Sequence, residues 1–415
     1  MQIGDYISVA EAQHIISTRL TPHRRSERIR AADACGRIAA ENFVSPVSAP
    51  QFPTSHMDGY AVIAADLREN EGKSLFFKGE ATLGDQATRI KSGETIRIPT
   101  GGRLPDGADA VVPVEDARMS GGRVYVSREF REGEFVYAEG SDVKRGDLIL
   151  TRGKAIRAQD VGMLLSLGAE EIEAFPRPRV AIVATGSELT DRPVFGKIRN
   201  SHTKVFANLV RYNGGEVVDL GTVTDNMKKI TACIKAALQE ADLVLTLGGT
   251  SLGKSDLIVP AVRGLTKGGL VVHGIRLDRG RVMGVAAING KPIVMLPGPI
   301  QGAMNAFLIF ALPFMTMLSG ETHRFGPVVE ASLMENWEAR RRFRNFTKVV
   351  YVKLRRRGPG VEALPIVRDT ESMGLLTASD GFVVLPEETV RLRAGARVSV
   401  RLLAGFSYVL GGFPV

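Results

Sequence analysis

Thr246-Leu247-Gly248-Gly249-Thr250-Ser251-Leu252-Gly253-Lys254-Ser255-Asp256 is a glycine-rich stretch between two different hydrophobic patterns. An apolar run at 242–245 precedes it and indicates a buried strand, and helical spacing follows it from 256 to 265. A strand, a glycine-rich turn and a helix are typical of an anion site, because glycines let backbone N–H groups approach a phosphate and the helix N-terminus carries partial positive charge. An ordinary strand-to-helix turn also favours Gly and Ser. The predicted phosphate-binding residues are Gly248, Gly249, Thr250, Ser251 and Gly253, and Asp256 is positioned to hold a metal ion.

The chain around this stretch alternates strand-like and helix-like segments. This alternation predicts a doubly wound, mostly parallel sheet with helices on both faces. Ligands of such sheets bind outside the carboxyl ends of the strands. Three strand ends carry polar or glycine-rich turns: Thr185-Gly186-Ser187-Glu188, the glycine-rich stretch itself, and Leu296-Pro297-Gly298. Their convergence favours an anion site over an ordinary turn.

The flanking sequence differs from this α/β pattern. Ser8 and Glu11 have the spacing of a capping box, so the chain is predicted to begin with an amphipathic helix. Short alternating runs separated by Gly, Pro and Asp indicate small β domains on both sides of the α/β region. We therefore predict a multidomain α/β protein. Its predicted parts are an N-terminal mixed domain (1–42 with 140–175), an inserted β domain (43–139), the α/β domain (176–325) and a C-terminal β-barrel-like domain (326–415).

Composition restricts the class of protein. The 415 residues are 44% hydrophobic, and the net charge of +9 suits anionic partners without choosing among them. Cys35 and Cys233 are far apart and lack a CxxC spacing, and the first residues lack the pattern of a signal peptide, so we predict a cytoplasmic protein. The apolar run at 303–318 is interrupted by Asn305 and Pro313, which favours a buried helix over a membrane span.

Several short motifs occur in a characteristic order. Met57-Asp58-Gly59-Tyr60 and Pro99-Thr100-Gly101-Gly102 lie in the inserted β domain, and Ala184-Thr185-Gly186-Ser187-Glu188-Leu189 precedes the glycine-rich stretch. Further matches are 45–50, 104–105, 107–112 and 140–146. Each motif alone is weak, but the ordered combination resembles the molybdopterin molybdenumtransferase family, whose eukaryotic relative is the gephyrin E domain.

The resemblance implies an enzyme that inserts the metal of molybdate or tungstate into adenylylated molybdopterin and releases AMP with the help of Mg²⁺. It also implies a homodimer. Asp58, Thr100, Glu188 and Asp256 match catalytic positions of the family, with Glu188 and Asp256 as candidate Mg²⁺ ligands. The other implied binding residues are Ser187, Asp142, Asp225, Arg279, Arg281, Pro297 and Gly298. Three of the acids also have ordinary interpretations: Asp58 in an Asp-Gly turn, Asp225 as a helix cap and Asp142 in a hairpin.

Two motifs depart from the family pattern. Where the family carries Lys-Pro-Gly-Lys-Pro, this chain has Asp278-Arg279-Gly280-Arg281-Val282, so Arg281 replaces the second lysine and Asp278 the first. Arg276 or Arg279 is a candidate to compensate, and a lysine restored at 278 is expected to be neutral or beneficial. Where the family reads Leu-Pro-Gly-Asn-Pro-Val-Ser, residues 296–302 lack the Asn and the Ser. Arginine forks at this site suit the tetrahedral oxygens of an oxyanion.

Three alternatives remain open. One is a molybdopterin adenylyltransferase, which resembles the α/β domain alone. The second is a catalytically silent, pterin-binding scaffold, which the two altered motifs favour. The third is nucleic-acid binding through the arginine-rich segments 340–344 and 355–357, although no RNA-binding module accompanies them and neither nucleic acid nor a membrane is expected as a partner. The six histidines show no metal-ligand spacing, and most are interpreted as ordinary residues. His56, beside Met57-Asp58, and His202, after Asn200-Ser201, are candidate ligand contacts because of these neighbours.

Overall fold

The computed structural model describes residues 6–20, 25–68, 74–84, 88–251, 256–266, 271–322, 327–367 and 372–403. Gly253 lies outside these described residues. The first element is helix α1, and its predicted cap is present, because Ser8 Oγ accepts a hydrogen bond from the Glu11 backbone N–H at 3.0 Å. The buried face of α1 packs into the core of the α/β sheet rather than into the small sheet that follows it. The elements are α1 (Val9–Ser17), β1 (Glu27–Arg30), β2 (Ile38–Ala39) and β3 (Phe43–Val44).

The next elements form a six-stranded sheet that positions the Asp58 motif. Gly59 begins β5, the first strand of this sheet in chain order, and a Cβ there would lie 2.2 Å from the Val112 carbonyl oxygen, so only glycine fits. This close packing fixes Asp58 at the end of the sheet. The strands are β4 (Thr54–Ser55), β5 (Gly59–Val62), β6 (Ser74–Glu80), β7 (Glu94–Ile98), β8 (Ala110–Pro113), β9 (Ala117–Ser120), β10 (Arg123–Val126) and β11 (Val136–Tyr137), and the sheet order is β8-β5-β7-β6-β10-β9 with β4 and β11 as a separate pair.

The chain then returns to the first small sheet. The returning elements are β12 (Leu148–Leu150), α2 (Ala158–Ser166) and β13 (Glu171–Phe175). Strand β13 lies between β1 and β2, and β12 pairs with β3. The Asp160 carboxylate stabilises the first turn of α2, because it accepts hydrogen bonds from the backbone and the guanidinium of Arg157. The chain enters the α/β region directly after β13.

The α/β region contains the predicted doubly wound sheet. Its strand order is β17-β14-β18-β21-β20-β19, in which the first four strands are parallel. Strand β20 runs antiparallel to both of its neighbours, β21 and β19. Hydrophobic cores cover both faces. The elements are β14 (Arg179–Thr185), β15 (Leu189–Thr190), β16 (Ile198–Arg199), α3 (His202–Tyr212), β17 (Glu216–Val223), α4 (Met227–Glu240), β18 (Leu243–Leu247), α5 (Ile258–Thr266), β19 (Val271–His273), β20 (Gly284–Ile288) and β21 (Lys291–Leu296).

The helical stretch after β21 forms the centre of this core. It consists of α6 (Ile300–Ala306), a π-helical segment (Phe307–Ala311) and α7 (Leu312–Leu318). By length and composition it is the one described helix that is able to cross a membrane, but 72% of that window is buried inside the protein, as the sequence predicted for a core helix. Pro313 has no N–H to donate to the preceding turn. The Ile309 carbonyl instead accepts a hydrogen bond from Gln13 Nε2 of α1 at 2.6 Å, which fastens α1 to the core.

The last described region is a closed five-stranded barrel with the order β22-β25-β24-β26-β28. The multidomain α/β fold class is therefore confirmed, whereas the exact domain boundaries stay a prediction. A buried Lys348 stabilises the barrel rim, because its ammonium donates to the carbonyls of Arg344, Glu387 and Thr389. The elements are β22 (Val328–Leu333), β23 (Trp337–Glu338), β24 (Lys348–Arg357), β25 (Gly360–Pro365), α8 (Met373–Ala378), β26 (Gly381–Leu385), β27 (Arg391–Leu392) and β28 (Arg397–Leu402).

Candidate active site

A cavity of about 350 Å³ lies beyond the carboxyl ends of β18 and β21. Its volume is within the roughly 300 to 1,000 Å³ that small-molecule sites occupy. The structure thus brings together most of the predicted anion-binding residues of the α/β region. The predicted residues that line the cavity are Gly249, Thr250, Ser251, Asp256, Arg281, Pro297 and Gly298, and the sequence did not predict Gly280, Val282, Pro299 and Gly302.

The glycine-rich turn has a backbone that other residues adopt with difficulty. Gly248 and Gly249 have φ angles of +85° and +63°, in the left-handed region. A Cβ on Gly249 would lie 3.0 Å from Ile258 Cγ1 and 3.1 Å from Thr185 Oγ1. Gly248 itself does not line the cavity, and its N–H donates to the Leu296 carbonyl at 3.1 Å. Gly248 therefore fixes the turn against β21, and Gly249 to Ser251 face the ligand space.

His273 links the two sides of this cavity, a role that the sequence interpretation missed. Its Nε2 lies 2.8 Å from the Thr250 carbonyl oxygen and 3.2 Å from the Val282 carbonyl oxygen. Both partners are acceptors, so Nε2 carries the proton. The ring joins the glycine-rich turn to the segment that carries Arg281. No sequence signal marks this contact, because it depends on the position of β19 in the sheet.

Arg281 is held from the C-terminal region. Its guanidinium carbon lies 5.1 Å from the ring centroid of Phe343, and Arg340 and Arg342 stack on the same ring at 4.7 and 5.8 Å. Phe343 is buried, so the ring is a fixed platform. A cation over an aromatic face is stabilised by the ring quadrupole. Phe343 therefore holds Arg281 at the edge of the cavity.

The other two candidate arginines, Arg276 and Arg279, do not line the cavity of Arg281. Arg279 has a φ of +49° and lines a different cavity of about 90 Å³, between the α/β sheet and the barrel. Arg276 donates to Glu387 at 2.9 Å. The expectation that Arg276 compensates for the altered motif is therefore wrong, and Arg279 and Arg281 belong to two adjoining cavities. The left-handed backbone at Arg279 separates the two side chains.

Asp278 has its own cationic partner. Its carboxylate is 15% exposed and forms a salt bridge with Arg340, which lies 62 positions later in the chain. The buried ammonium of Lys348 also interacts with this carboxylate. A lysine at 278 would place a third cation beside Arg340 and Lys348. The structure therefore predicts that this substitution lowers the stability of the protein, whereas its effect on the activity of a transferase stays a prediction.

Asn305 fixes the backbone of the same loop. Its Nδ2 donates to the carbonyls of Asp278 and Arg279, each at 3.1 Å, and its Oδ1 accepts from the Tyr351 hydroxyl at 2.8 Å. Asn305 and Tyr351 are both buried, and burial raises the pKa of the Tyr351 phenol. Tyr351 therefore stays a neutral donor.

Ser187, Glu188 and Asp225 form a second group at the ends of β14 and β17. The Asp225 carboxylate accepts from the Ser187 N–H at 2.9 Å, and the Asp225 N–H donates to Ser187 Oγ at 3.2 Å. Asn226, and not Asp225, caps helix α4. A Cβ on Gly186 would lie 2.5 Å from Glu188 Oε1, so the carboxylate folds back over this loop. These residues do not line the cavity of Asp256 and Arg281.

Asp58 and Thr100 meet in the inserted sheet, away from the cavity. Asp58 Oδ1 accepts from the Thr100 N–H at 2.6 Å and from its hydroxyl at 2.8 Å. Both residues are exposed. Asp142 is also exposed, and its backbone N–H donates to the Ala49 carbonyl. Asp58, Thr100 and Asp142 therefore lie on exposed surfaces outside the cavity of their own chain.

The carboxylates suit Mg²⁺ only together with a substrate. Among the described residues, no three His, Cys, Asp or Glu side chains are placed to hold a metal ion. Mg²⁺ is commonly bound by one or two carboxylates plus substrate phosphates and water. Asp256 lines the phosphate cradle and is one such carboxylate, whereas the exposed Glu188 lies outside this cavity, at the end of β14.

Another histidine contacts the floor of the site. His202, at the start of α3, is hydrogen-bonded to the Gly298 backbone, and burial lowers the pKa of its ring. The sequence interpretation had associated His202 with a ligand only through its neighbours. Its contact with Gly298 gives it a structural role at the third strand end.

The arginine-rich segment 340–344 is largely committed to contacts within the protein. Arg340 pairs with Asp278, and Arg344 pairs with Glu338 at 2.8 Å. Phe343 and Phe346 are buried, so their rings are not accessible for stacking with the bases of a nucleic acid. These contacts support the interpretation of this segment as part of the barrel and its interface with the active-site loop.

Comparison with known proteins identifies two matching family models. Residues 7–168 match the MoeA N-terminal region (domain I and II), and residues 181–317 match a probable molybdopterin binding domain. A molybdopterin biosynthesis protein of Methanocaldococcus jannaschii is 30% identical over 401 residues, covering 94% of this chain and 95% of that protein. A molybdopterin molybdenumtransferase of Staphylococcus epidermidis is 28% identical over 390 residues, covering 92% of each.

Solved structures give the same result. The crystal structure of a molybdopterin biosynthesis MoeA protein from Pyrococcus horikoshii superposes with a TM-score of 0.81 at 26% identity, covering 96% of this chain and 99% of that one. A molybdenum cofactor biosynthesis protein from Pyrococcus furiosus has a TM-score of 0.60 at 19% identity, which is evidence for the fold alone.

Proposed function

The chain belongs to the MoeA family of molybdenum cofactor biosynthesis, and from this membership we propose that it is a molybdopterin molybdenumtransferase. Its substrates are adenylylated molybdopterin and molybdate or tungstate. The reaction transfers the metal to the dithiolene of the pterin and releases AMP. One observation carries the proposal: the cavity beyond β18 and β21 combines the glycine-rich turn with Asp256 and Arg281.

The glycine-rich turn is suited to the phosphate end of the substrate. In this proposal, backbone N–H groups of Gly249, Thr250 and Ser251, which line the cavity, donate to the phosphate. His273 holds the turn through the Thr250 carbonyl. Release of AMP breaks a phosphoanhydride P–O bond while the oxygen of a water molecule bonds to phosphorus, and it leaves negative charge on the departing phosphate. Such reactions depend on positioning and on fixed positive charge more than on a strong base.

Besides the backbone N–H groups, cations provide positive charge near the substrate phosphates. Mg²⁺, when bound with the substrate phosphates, neutralises negative charge on them. Asp256 and Glu188 would hold it. Arg281 contributes a permanent positive charge at the cavity edge and is kept there by the Phe343 ring. Arg279 belongs to the same loop but lines the other cavity, so it is not part of this proposed charge set.

A second copy of the chain completes the site in this proposal. Asp58, Thr100 and Asp142 do not line the cavity of their own chain. Asp58 and Thr100 are exposed and held in one geometry by two hydrogen bonds. A homodimer that places this pair beside the glycine-rich turn of the partner gives them access to the substrate. Sedimentation at micromolar concentration tests this, because a monomer that turns over substrate at full rate contradicts the shared site.

We also propose a cytoplasmic location.

The activity is tested with purified protein, adenylylated molybdopterin, Mg²⁺ and either molybdate or tungstate, by measuring AMP. We expect anion-dependent AMP release that falls in Glu188→Gln and Asp256→Asn while both variants remain folded by circular dichroism. Excess Mg²⁺ is expected to restore part of the rate. A residue whose variant keeps the full rate is not a metal ligand.

A silent pterin-binding scaffold is the second candidate, because Pro299 and Gly302 line the cavity where the family has Asn and Ser. Tight pterin binding without AMP release in the presence of either anion supports that candidate. Formation of adenylylated molybdopterin from molybdopterin and ATP instead supports an adenylyltransferase.

A further inference from the structure

A cavity of about 250 Å³ lies at the amino-terminal edge of the α/β sheet, opposite the proposed active site. Strand β14 begins there at Arg179, whereas the active-site cavity lies beyond the carboxyl ends of β18 and β21. The walls come from the first small sheet, from the linker into β14, and from the ends of α3 and α7. Residues that decide its chemistry are Arg37, Phe175, Arg177, Arg211 and Glu321.

Arg37 has donor capacity that the protein does not use. Its side chain is only 12% exposed. The Nη2 group donates to the carboxylate of Glu27 and, at 2.8 Å, to the Phe175 carbonyl. The Nε group is buried and has no hydrogen-bond partner. An unsatisfied buried N–H of a charged group costs about 1 to 3 kcal/mol, so a shift of the Arg37 side chain that brings this N–H to a ligand in the cavity would be favourable.

Two further arginines, Arg177 and Arg211, line the same cavity. Within the described part of the chain, Arg177 forms neither a salt bridge nor a side-chain hydrogen bond. Arg211 has one long hydrogen bond of 3.5 Å to Asn208 Oδ1 and a charge interaction with Asp219, which does not line the cavity. Arg177 belongs to the linker, and Arg211 to the last turn of α3. The three arginines therefore come from three separate parts of the fold.

The negative charge that lines the cavity is smaller than the positive charge of the three arginines. Glu321 is the lining carboxylate, and α3 and α7 end at the wall. Their terminal carbonyls are already in use, because Arg211 and Met317 accept from the N–H groups of Gly214 and Gly320. The effect of a helix end is small, whereas hydrogen bonds between a guanidinium and an anion are among the strongest in proteins.

We propose that this cavity binds a phosphate dianion, either inorganic phosphate or the terminal group of a small phosphate ester. Guanidinium groups match the tetrahedral oxygens of phosphate, and a volume below the usual range of drug-sized pockets excludes a large ligand. A bound phosphate would join the first small sheet, through Arg37, to the α/β region, through Arg177 and Arg211. The site is separate from the proposed reaction.

Calorimetric titration of the full-length protein with inorganic phosphate tests the proposal. Because the active-site cradle is also expected to bind phosphate, the titration uses the Arg281→Ala background. Arg177→Gln and Arg211→Gln should each weaken phosphate binding by about 10- to 150-fold, and Glu321→Gln should strengthen it. Arg118→Gln is the matched control, because Arg118 is an exposed arginine on β9.

Several outcomes separate the possibilities. Weaker binding in both cavity variants and unchanged binding in the control support the site. Binding that neither variant alters overturns it, whatever the result of the AMP assay. Glycerol 3-phosphate that binds as tightly as inorganic phosphate, or more tightly, assigns the site to a phosphate ester, and much weaker binding assigns it to the free ion. Succinate binding as tight as phosphate binding overturns the assignment to phosphate.

Discussion

The Asp58 carboxylate accepts two hydrogen bonds from Thr100, one from its backbone N–H at 2.6 Å and one from its hydroxyl at 2.8 Å. These bonds hold the pKa of Asp58 below its ordinary value, with the backbone bond as the larger cause. Asp58 is therefore ionised at physiological pH. The pair presents one fixed negative charge on an exposed surface of the inserted sheet.

Thr100→Val should raise the pKa of Asp58 part of the way towards its ordinary value, because the backbone bond remains and only the hydroxyl bond is lost. Thr100→Ser should keep the low pKa. A carboxyl-carbon NMR titration of Asp58 in the three proteins measures this. If the pair faces a partner's substrate, AMP release should also fall in Thr100→Val and recover in Thr100→Ser. Identical titrations in all three proteins contradict the role of the hydroxyl.

Arg281→Ala should raise the molybdate or tungstate concentration needed for half-maximal AMP release far more than it weakens pterin binding. A charge-assisted hydrogen bond of about 1.5 to 3 kcal/mol corresponds to about a 10- to 150-fold effect. Arg342→Ala is the matched control, because Arg342 stacks on the same Phe343 ring but does not line the cavity. An oxyanion dependence that Arg281→Ala leaves unchanged removes this residue from the proposed contact.

Asp278→Lys should lower the free energy of unfolding by about 1 to 3 kcal/mol, because it replaces the partner of Arg340 with a third cation near Lys348. The double variant Asp278→Lys with Arg340→Glu should recover part of this loss. Urea denaturation of the two single variants and the double variant measures the coupling. Strictly additive effects show that the salt bridge contributes nothing measurable.

His273→Phe should destabilise the protein by about 1 to 3 kcal/mol and raise the KM for adenylylated molybdopterin. The ring shape is kept, but the Thr250 and Val282 carbonyls lose their shared donor. His273→Gln carries an amide N–H and should recover much of the KM. Steady-state kinetics with thermal unfolding separate the two effects. A lower Tm with an unchanged KM restricts His273 to a purely structural role.

Asp160→Asn should destabilise the protein by about 1 to 3 kcal/mol at neutral pH, because the buried carboxylate accepts charged hydrogen bonds from Arg157 and Lys154. Arg157 holds the pKa of Asp160 well below its usual range. A lowered folded-state pKa means that this stabilisation is complete above the unfolded pKa and is lost as the pH falls towards the folded one. Urea denaturation at neutral and strongly acidic pH should show a gap between wild type and variant that narrows in acid.

The sequence predicted the architecture because hydrophobic periodicity and glycine turns are local signals. Strands β14, β18 and β21 end at the three predicted turns, and the glycine-rich turn lines a cavity with Asp256. The separation of Arg279 from Arg281 was not predictable, because it depends on a left-handed backbone at one residue. The Asp278–Arg340 pair joins residues 62 positions apart and depends on how the barrel packs. The shared dimeric site and the domain boundaries stay predictions.

Asn305 connects the C-terminal barrel to the loop that carries Arg281. It is anchored to Tyr351 on β24, and it grips the two carbonyls that shape the turn before Arg281. A small rotation of the barrel therefore cannot leave that turn undisturbed. A displacement of β24 is therefore expected to move the backbone of the loop that precedes Arg281, even though the barrel strand itself does not line the cavity.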